Sequence, residues 1–179
     1  MRMKRNEAVA VCIDYQEKIL PAMFEKEQLI CNSVKLLKGL KVLGVPVYLT
    51  QQYTKGLGTT VEEICEAAGT LEYWEKLTFS ACKQLLEKLP PAEERPFVII
   101  CGIESHVCVL QTAIDLKAAG YQPCLVSDCL SSRKRDSYVI ALERAKQEGV
   151  LLTTYESLLF ELLEEAGTPM SKEIQKIVK

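Results

Sequence analysis

The chain reads as an α/β protein, a three-layer α/β/α sandwich around a mostly parallel, doubly wound sheet. Three observations predict this. Apolar runs rich in β-branched residues at 8–13, 97–101 and 122–126 lack polar alternation, as strands covered on both faces do. Between such runs, apolar residues recur at helical spacing and stop at Gly44, Gly120 and Gly149. The 179 residues are 48% hydrophobic and 26% charged, with no linker, repeat or low-complexity stretch, which suits one domain over 1–179. Alternating strand and helix patterns give a Rossmann-like order.

Residues 8–14 form the first strand, which ends in Asp14. Leu20-Pro21 interrupts the chain, and a helix follows over 27–43 with Leu29, Ile30, Val34, Leu37 and Leu40 on one stripe. Residues 46–51 are the second strand and 53–60 a loop. A short helix is expected over 61–67 and a short extended segment over 71–76, where Tyr73 and Trp74 serve packing or an oligomer surface. Thr78 is positioned to cap a helix over 80–89, which Pro90-Pro91 ends. Residues 97–101 are the third strand, and a helix begins near His106 and stops at Gly120. Strands over 122–128 and 150–154 then alternate with helices over 135–148, 155–166 and 171–178, while Arg133 to Arg135 read as a solvated loop.

Composition excludes several functions. A net charge of −2, with both signs mixed along the chain, offers no footprint for nucleic acid or an anionic membrane. No apolar run approaches the ~20 residues of a membrane span, and no signal-peptide core precedes Asp14. A cytoplasmic location is expected. The eight cysteines lack a Cys-x-x-Cys pair and several lie in apolar strands, so they read as reduced core thiols. With a single histidine, neither a zinc site nor any other metal or cofactor is expected.

Parallel sheets of this kind bind ligands outside the carboxyl ends of their strands. Asp14, Gln51, Gln52, Cys108 and Asp128 all fall at such ends and are candidates to share one crevice. Cys108 lies in the first turn of a helix after a strand, where unpaired N–H groups and the helix dipole stabilise a thiolate. It is the candidate nucleophile. His106 stands two residues away and cannot face it on a helix, so the base must be another group. Asp14, a carboxylate ending an apolar strand, is the candidate, provided a lysine helps to bring the two pKa values together.

Three blocks carry a resemblance. Asp14 in Val-Cys-Ile-Asp-Tyr-Gln, Lys76 in Glu-Lys-Leu-Thr-Phe-Ser-Ala, and Cys108 in Gly-Ile-Glu-Ser-His-Val-Cys-Val-Leu-Gln-Thr-Ala resemble the signature blocks of the isochorismatase-like cysteine hydrolases. Residues 50–58 also resemble a loop of the isochorismatase domain-containing branch. The resemblance implies an Asp14–Lys76–Cys108 catalytic triad acting on a small amide or other C–N substrate, and a homo-oligomer. It further implies a cis peptide between Ile103 and Glu104 that sets the Glu104 N–H beside that of Cys108 as an oxyanion hole. Gln51, Gln52 and Tyr53 stand where the nicotinamidase branch carries metal ligands, so no metal is implied. Gln52, Tyr53 and Phe79 are candidate pocket residues.

Two other readings stay open on the residues alone. One is a binding or scaffold protein that keeps the fold without turnover. The other is a redox-sensitive thiol, with Cys101 placed to resolve an oxidised Cys108.

Overall fold

The computed structural model describes residues 2–179. Six strands pair in parallel throughout: β1 (Ala8–Ile13), β2 (Val47–Gln52), β3 (Tyr73–Lys76), β4 (Phe97–Ile103), β5 (Gln122–Ser131) and β6 (Leu151–Thr153). Their order across the sheet is β3-β2-β1-β4-β5-β6, so the winding reverses between β1 and β4. A doubly wound sheet opens its ligand crevice at that reversal.

The helices are α1 (Lys26–Val42), α2 (Thr54–Leu57), α3 (Glu62–Ala68), α4 (Cys82–Leu86), α5 (Leu110–Ala118), α6 (Arg135–Gln147), α7 (Tyr155–Leu163) and α8 (Pro169–Val178). Side-chain alternation along the strands sorts them into two layers. Ala8, Ala10 and Cys12 of β1 join Ile99 and Cys101 of β4 against α1, α3, α7 and α8. Val9, Val11 and Ile13 face the other way, with Val98 and Ile100, against α4, α5 and α6. The residues of β1 and β4 are buried, which is why these strands read as unbroken apolar runs. Threonines cap the last two helices, Thr154 accepting from the Ser157 N–H and Thr168 from the Ser171 N–H.

Some elements differ from the reading of the sequence. The extended segment before Leu77 is a full member of the sheet, the edge strand β3, whose Trp74 packs on Tyr48 with ring centroids 4.9 Å apart. The helix expected over 80–89 has only the span of α4, and Thr78 does not cap it; its hydroxyl donates to the Ser80 carbonyl instead. Part of the loop after β2 coils into α2. Strand β5 runs past Asp128 to Ser131, with a register shift against β4 between Ile100 and Gly102. Among the described residues, no helix is long and apolar enough to cross a membrane.

Candidate active site

The ends of β1, β2, β3 and β4 bring Asp14, Gln52, Lys76 and Cys108 together. Asp14 follows β1 in a left-handed conformation, φ 55°, which a short polar side chain tolerates better than most. The turn carries its buried carboxylate toward β2, where Thr50 Oγ1 donates to Oδ1 at 2.9 Å. Lys76 Nζ donates to Oδ2 at 2.6 Å, with both side chains almost wholly out of water. The same ammonium donates to Gln52 Oε1 at 2.6 Å and, at 3.5 Å, to the Thr78 carbonyl. Those three acceptors use all three N–H bonds of a lysine. A lysine is tolerated in so dry a place only when its donors are paired in this way.

Gly102 lets the ends of β1 and β4 close on each other. Its φ is +132°, and a Cβ there would run into the carbonyl oxygen of Ile13. Beyond it the Ile103–Glu104 peptide bond is cis. The helix then opens with one wide turn, Ser105–Val109, in which the Val109 N–H reaches back five residues to the Glu104 carbonyl at 3.2 Å. Cys108 sits in that turn, ahead of α5, and its carbonyl accepts from Thr112 Oγ1 at 2.6 Å. Its Sγ lies 4.0 Å from Gln52 Oε1.

The thiol differs from the stabilised thiolate expected at a helix start. Burial, reinforced by the negative charge of Asp14, pushes Cys108 from 9.0 up to about 12, and Lys76 only partly offsets this. At rest the group is therefore a thiol with a carboxylate close by. Attack by the sulfur requires that its proton be taken by a base.

A cavity of about 100 Å³ opens on Cys108. Ile19, Leu57, Phe79, Ile103 and Val107 supply apolar wall, and Asp14, Gln52 and Glu104 the polar part. Of the candidate pocket residues, Gln52 and Phe79 line it, whereas Tyr53 does not: its ring is half exposed and packs over Gly56. Gln51 and Asp128 also stand apart. Gln51 points to the opposite face of β2 from Gln52 and bonds Thr60 and Thr54. Asp128 lies before the end of β5, accepts the first N–H of α7 from Tyr155 at 2.9 Å, and lines a separate cavity with Asn32 and Tyr138.

Several positioning groups escaped the sequence reading. Buried Gln16 holds both backbone groups of Gln52, its Oε1 accepting the N–H at 2.6 Å and its Nε2 donating to the carbonyl at 3.0 Å. Gln52 Nε2 in turn donates to the Leu77 carbonyl, which fixes Oε1 toward Lys76. The three residues Glu104, Ser105 and His106 bond Arg133, Ser131 and Ser132 respectively, pinning the nucleophile turn to the end of β5. The sole signal for Gln16 was its place two residues after Asp14.

Cys101 cannot serve Cys108 in a redox pair across this sheet. It belongs to the opposite core layer, 3.5 Å from Cys12 between their sulfurs. All eight cysteines are free. Among the described residues no cluster of His, Cys, Asp and Glu side chains could hold a metal ion.

The family model described as the isochorismatase domain matches residues 8–157. Isochorismatase domain-containing protein 2A of Mus musculus is 37% identical over 178 residues, covering 99% of this chain and 85% of that protein. The secreted isochorismatase effector Isc1 of Phytophthora sojae is 37% identical over 186 residues, covering 99% and 87%. Among solved structures, the MAR1 ribonuclease of Caenorhabditis elegans superposes with a TM-score of 0.88 at 33% identity, covering 99% of this chain and 92% of that one. With its sheet order and these similarities, the chain belongs to the isochorismatase family and carries that family's α/β fold.

Proposed function

We propose that the protein is a cysteine hydrolase of small amides or related C–N substrates, with Cys108 as nucleophile, Asp14 as base and acid, and Lys76 as their electrostatic partner. The observation that carries the reading is the buried Lys76–Asp14 pair beside a protonated thiol at the floor of an apolar cavity. Asp14 takes the Sγ proton as sulfur attacks the carbonyl carbon. The C–S bond forms, the carbonyl π pair moves to oxygen, and the backbone N–H groups of Cys108 and Glu104 receive that oxyanion. One such donor is typically worth about 10²–10³ in rate. As the C–N bond breaks, Asp14 returns the proton to the leaving nitrogen and an amine or ammonia departs. Water then attacks the thioester with Asp14 again as base, releasing the acid and restoring the thiol.

The test is a screen of small amides, esters and carbamoyl compounds against the wild type and Cys108→Ala. Activity in the wild type that is lost in Cys108→Ala is the expected result. Activity that persists in Cys108→Ala removes the nucleophile, and no activity on any compound favours a binding protein.

RNA cleavage, the activity in the C. elegans relative's name, is the second reading. The net charge of −2 and the two carboxylates lining the cavity argue against a phosphodiester there. Incubation of the purified protein with labelled RNA distinguishes the two.

A homo-oligomer in the cytoplasm completes the proposal. Leu71, Leu77 and Phe79, respectively 81%, 74% and 56% exposed, flank the edge strand β3 as an apolar surface suited to burial against another copy. Free buried thiols suit a reducing compartment. Light scattering and cell fractionation test these two points, a monomer or an exported protein being the contrary results.

A further inference from the structure

We infer that the Cys108 cavity selects uncharged, compact acyl groups and turns away substrates that carry a carboxylate or phosphate next to the reacting carbon. This rests on the preceding proposal that Cys108 is the reacting group, and it names the substrate class.

The inference comes from the cations. An anionic substrate in a water-poor site needs a positive partner, because an unpaired buried charge is costly. No Lys, Arg or His lines the cavity among the described residues. Lys76 lies behind it and is committed, its three N–H bonds directed to Asp14 Oδ2, Gln52 Oε1 and the Thr78 carbonyl. To reach a substrate anion it would have to release one of them. The nearby Arg133 does not line the cavity; its backbone N–H and Nε donate to Glu104 Oε2 and its guanidinium is largely exposed. The acidic residues among its lining, Asp14 and Glu104, are each already paired, with Lys76 and Arg133. A substrate anion would find both nearby cations already paired with carboxylates and no cation lining the cavity.

Size and wall chemistry narrow the class further. About 100 Å³ is well below the roughly 300–1,000 Å³ of pockets for drug-sized ligands. The walls that meet the acyl chain are Ile19, Leu57, Phe79, Ile103 and Val107, which offer it no hydrogen bond through their side chains. A short aliphatic or unsaturated acyl group fits that description. The polar end of the substrate is left to the Gln52 amide and the backbone.

Two reagents of matched shape isolate the charge. Iodoacetamide and iodoacetate each form one S–C bond with a cysteine thiolate and release iodide, the thiol proton passing to the base or the solvent. The wild-type protein is labelled with each, and the rates at Cys108 and at the exposed Cys31 are followed by peptide mass spectrometry. The ratio of the two rates at one cysteine cancels that thiol's own reactivity. The expected ratio, amide over acid, is at least about threefold higher at Cys108 than at Cys31. A smaller ratio overturns the inference. So does a Cys108 that labels with neither reagent, since the cavity then admits no neutral ligand.

A parallel turnover assay compares propanamide with malonamate, in which a carboxylate replaces the terminal methyl. Hydrolysis of both at similar kcat/KM overturns the charge selection while leaving the hydrolase standing. Selective labelling with neither amide hydrolysed supports the charge selection and counts against the hydrolase, so the two failures are separable.

Discussion

Glu104 Oε2 accepts two hydrogen bonds from one residue, the backbone N–H and the Nε of Arg133, each at 3.0 Å. The carboxylate is buried while the guanidinium is largely exposed. The two halves of this contact are therefore unequal. The backbone bond is sheltered, whereas the ion pair is screened by solvent.

Removing each partner should reveal that inequality. Glu104→Ala strands the Arg133 N–H and loosens the nucleophile turn, with an expected loss of about 1–3 kcal/mol. Arg133→Ala keeps the backbone donor and should cost less than about 1 kcal/mol. Urea denaturation of the two variants checks the order.

The Asp14–Lys76 pair predicts a different pattern. Asp14→Asn or Lys76→Met alone leaves a buried charge without its partner and should destabilise by about 3–5 kcal/mol. The double variant removes both charges and should lose much less than the sum of the singles. A double-mutant cycle in urea measures the coupling, and simple additivity would contradict the pairing.

Titration of the Cys108 thiol should move in opposite directions in those same variants. Since Asp14 raises it and Lys76 lowers it, Asp14→Asn should bring the thiol down from about 12 and Lys76→Met should push it higher. The thiolate absorbance of Cys108, taken by difference against Cys108→Ala in each background, reads both. Turnover should nonetheless fall in Asp14→Asn, because a more acidic thiol does not replace the lost proton acceptor.

Alkaline stability follows from the same shift. The folded state holds the Cys108 proton up to about 12 where the unfolded chain releases it near 9.0, so this stabilisation is complete below 9.0 and is lost between those values. Cys124, also raised to about 12 by burial and by Glu161, adds to the effect. The melting temperature should fall steeply over that window. Cys108→Ala should flatten the fall without changing its direction.

Much of the fold was legible because strands buried on both faces have no polar positions to disguise them. Ala8 to Ile13 and Phe97 to Ile100 could hardly read otherwise. The end of a strand was less legible. Asp14 and Asp128 each follow an apolar run, yet only Asp14 sits on the crevice. Strand β5 continues for three residues past Asp128, and its side chain anchors α7 instead. Lys76 carried no local signal beyond its block of similar residues, since a lysine's burial depends on what the fold brings to it. Gln16 was illegible for the same reason, its partners being the backbone of Gln52 and Gly58. The sign of the thiol shift was misread because a helix terminus can be seen in a sequence and the dryness of a cavity cannot.

The paired glutamines of β2 make its register easy to mistake at one end and impossible to mistake at the other. Sliding the strand by one residue would hand Lys76 an identical amide, Gln51 in place of Gln52. The same slide would turn Val47 and Leu49 away from the layer they fill and put Tyr48 on the wrong side. The amide at Lys76 is thus blind to the error, while Asp14, which would meet Leu49 in place of Thr50, and the apolar half of the strand act as its proofreaders.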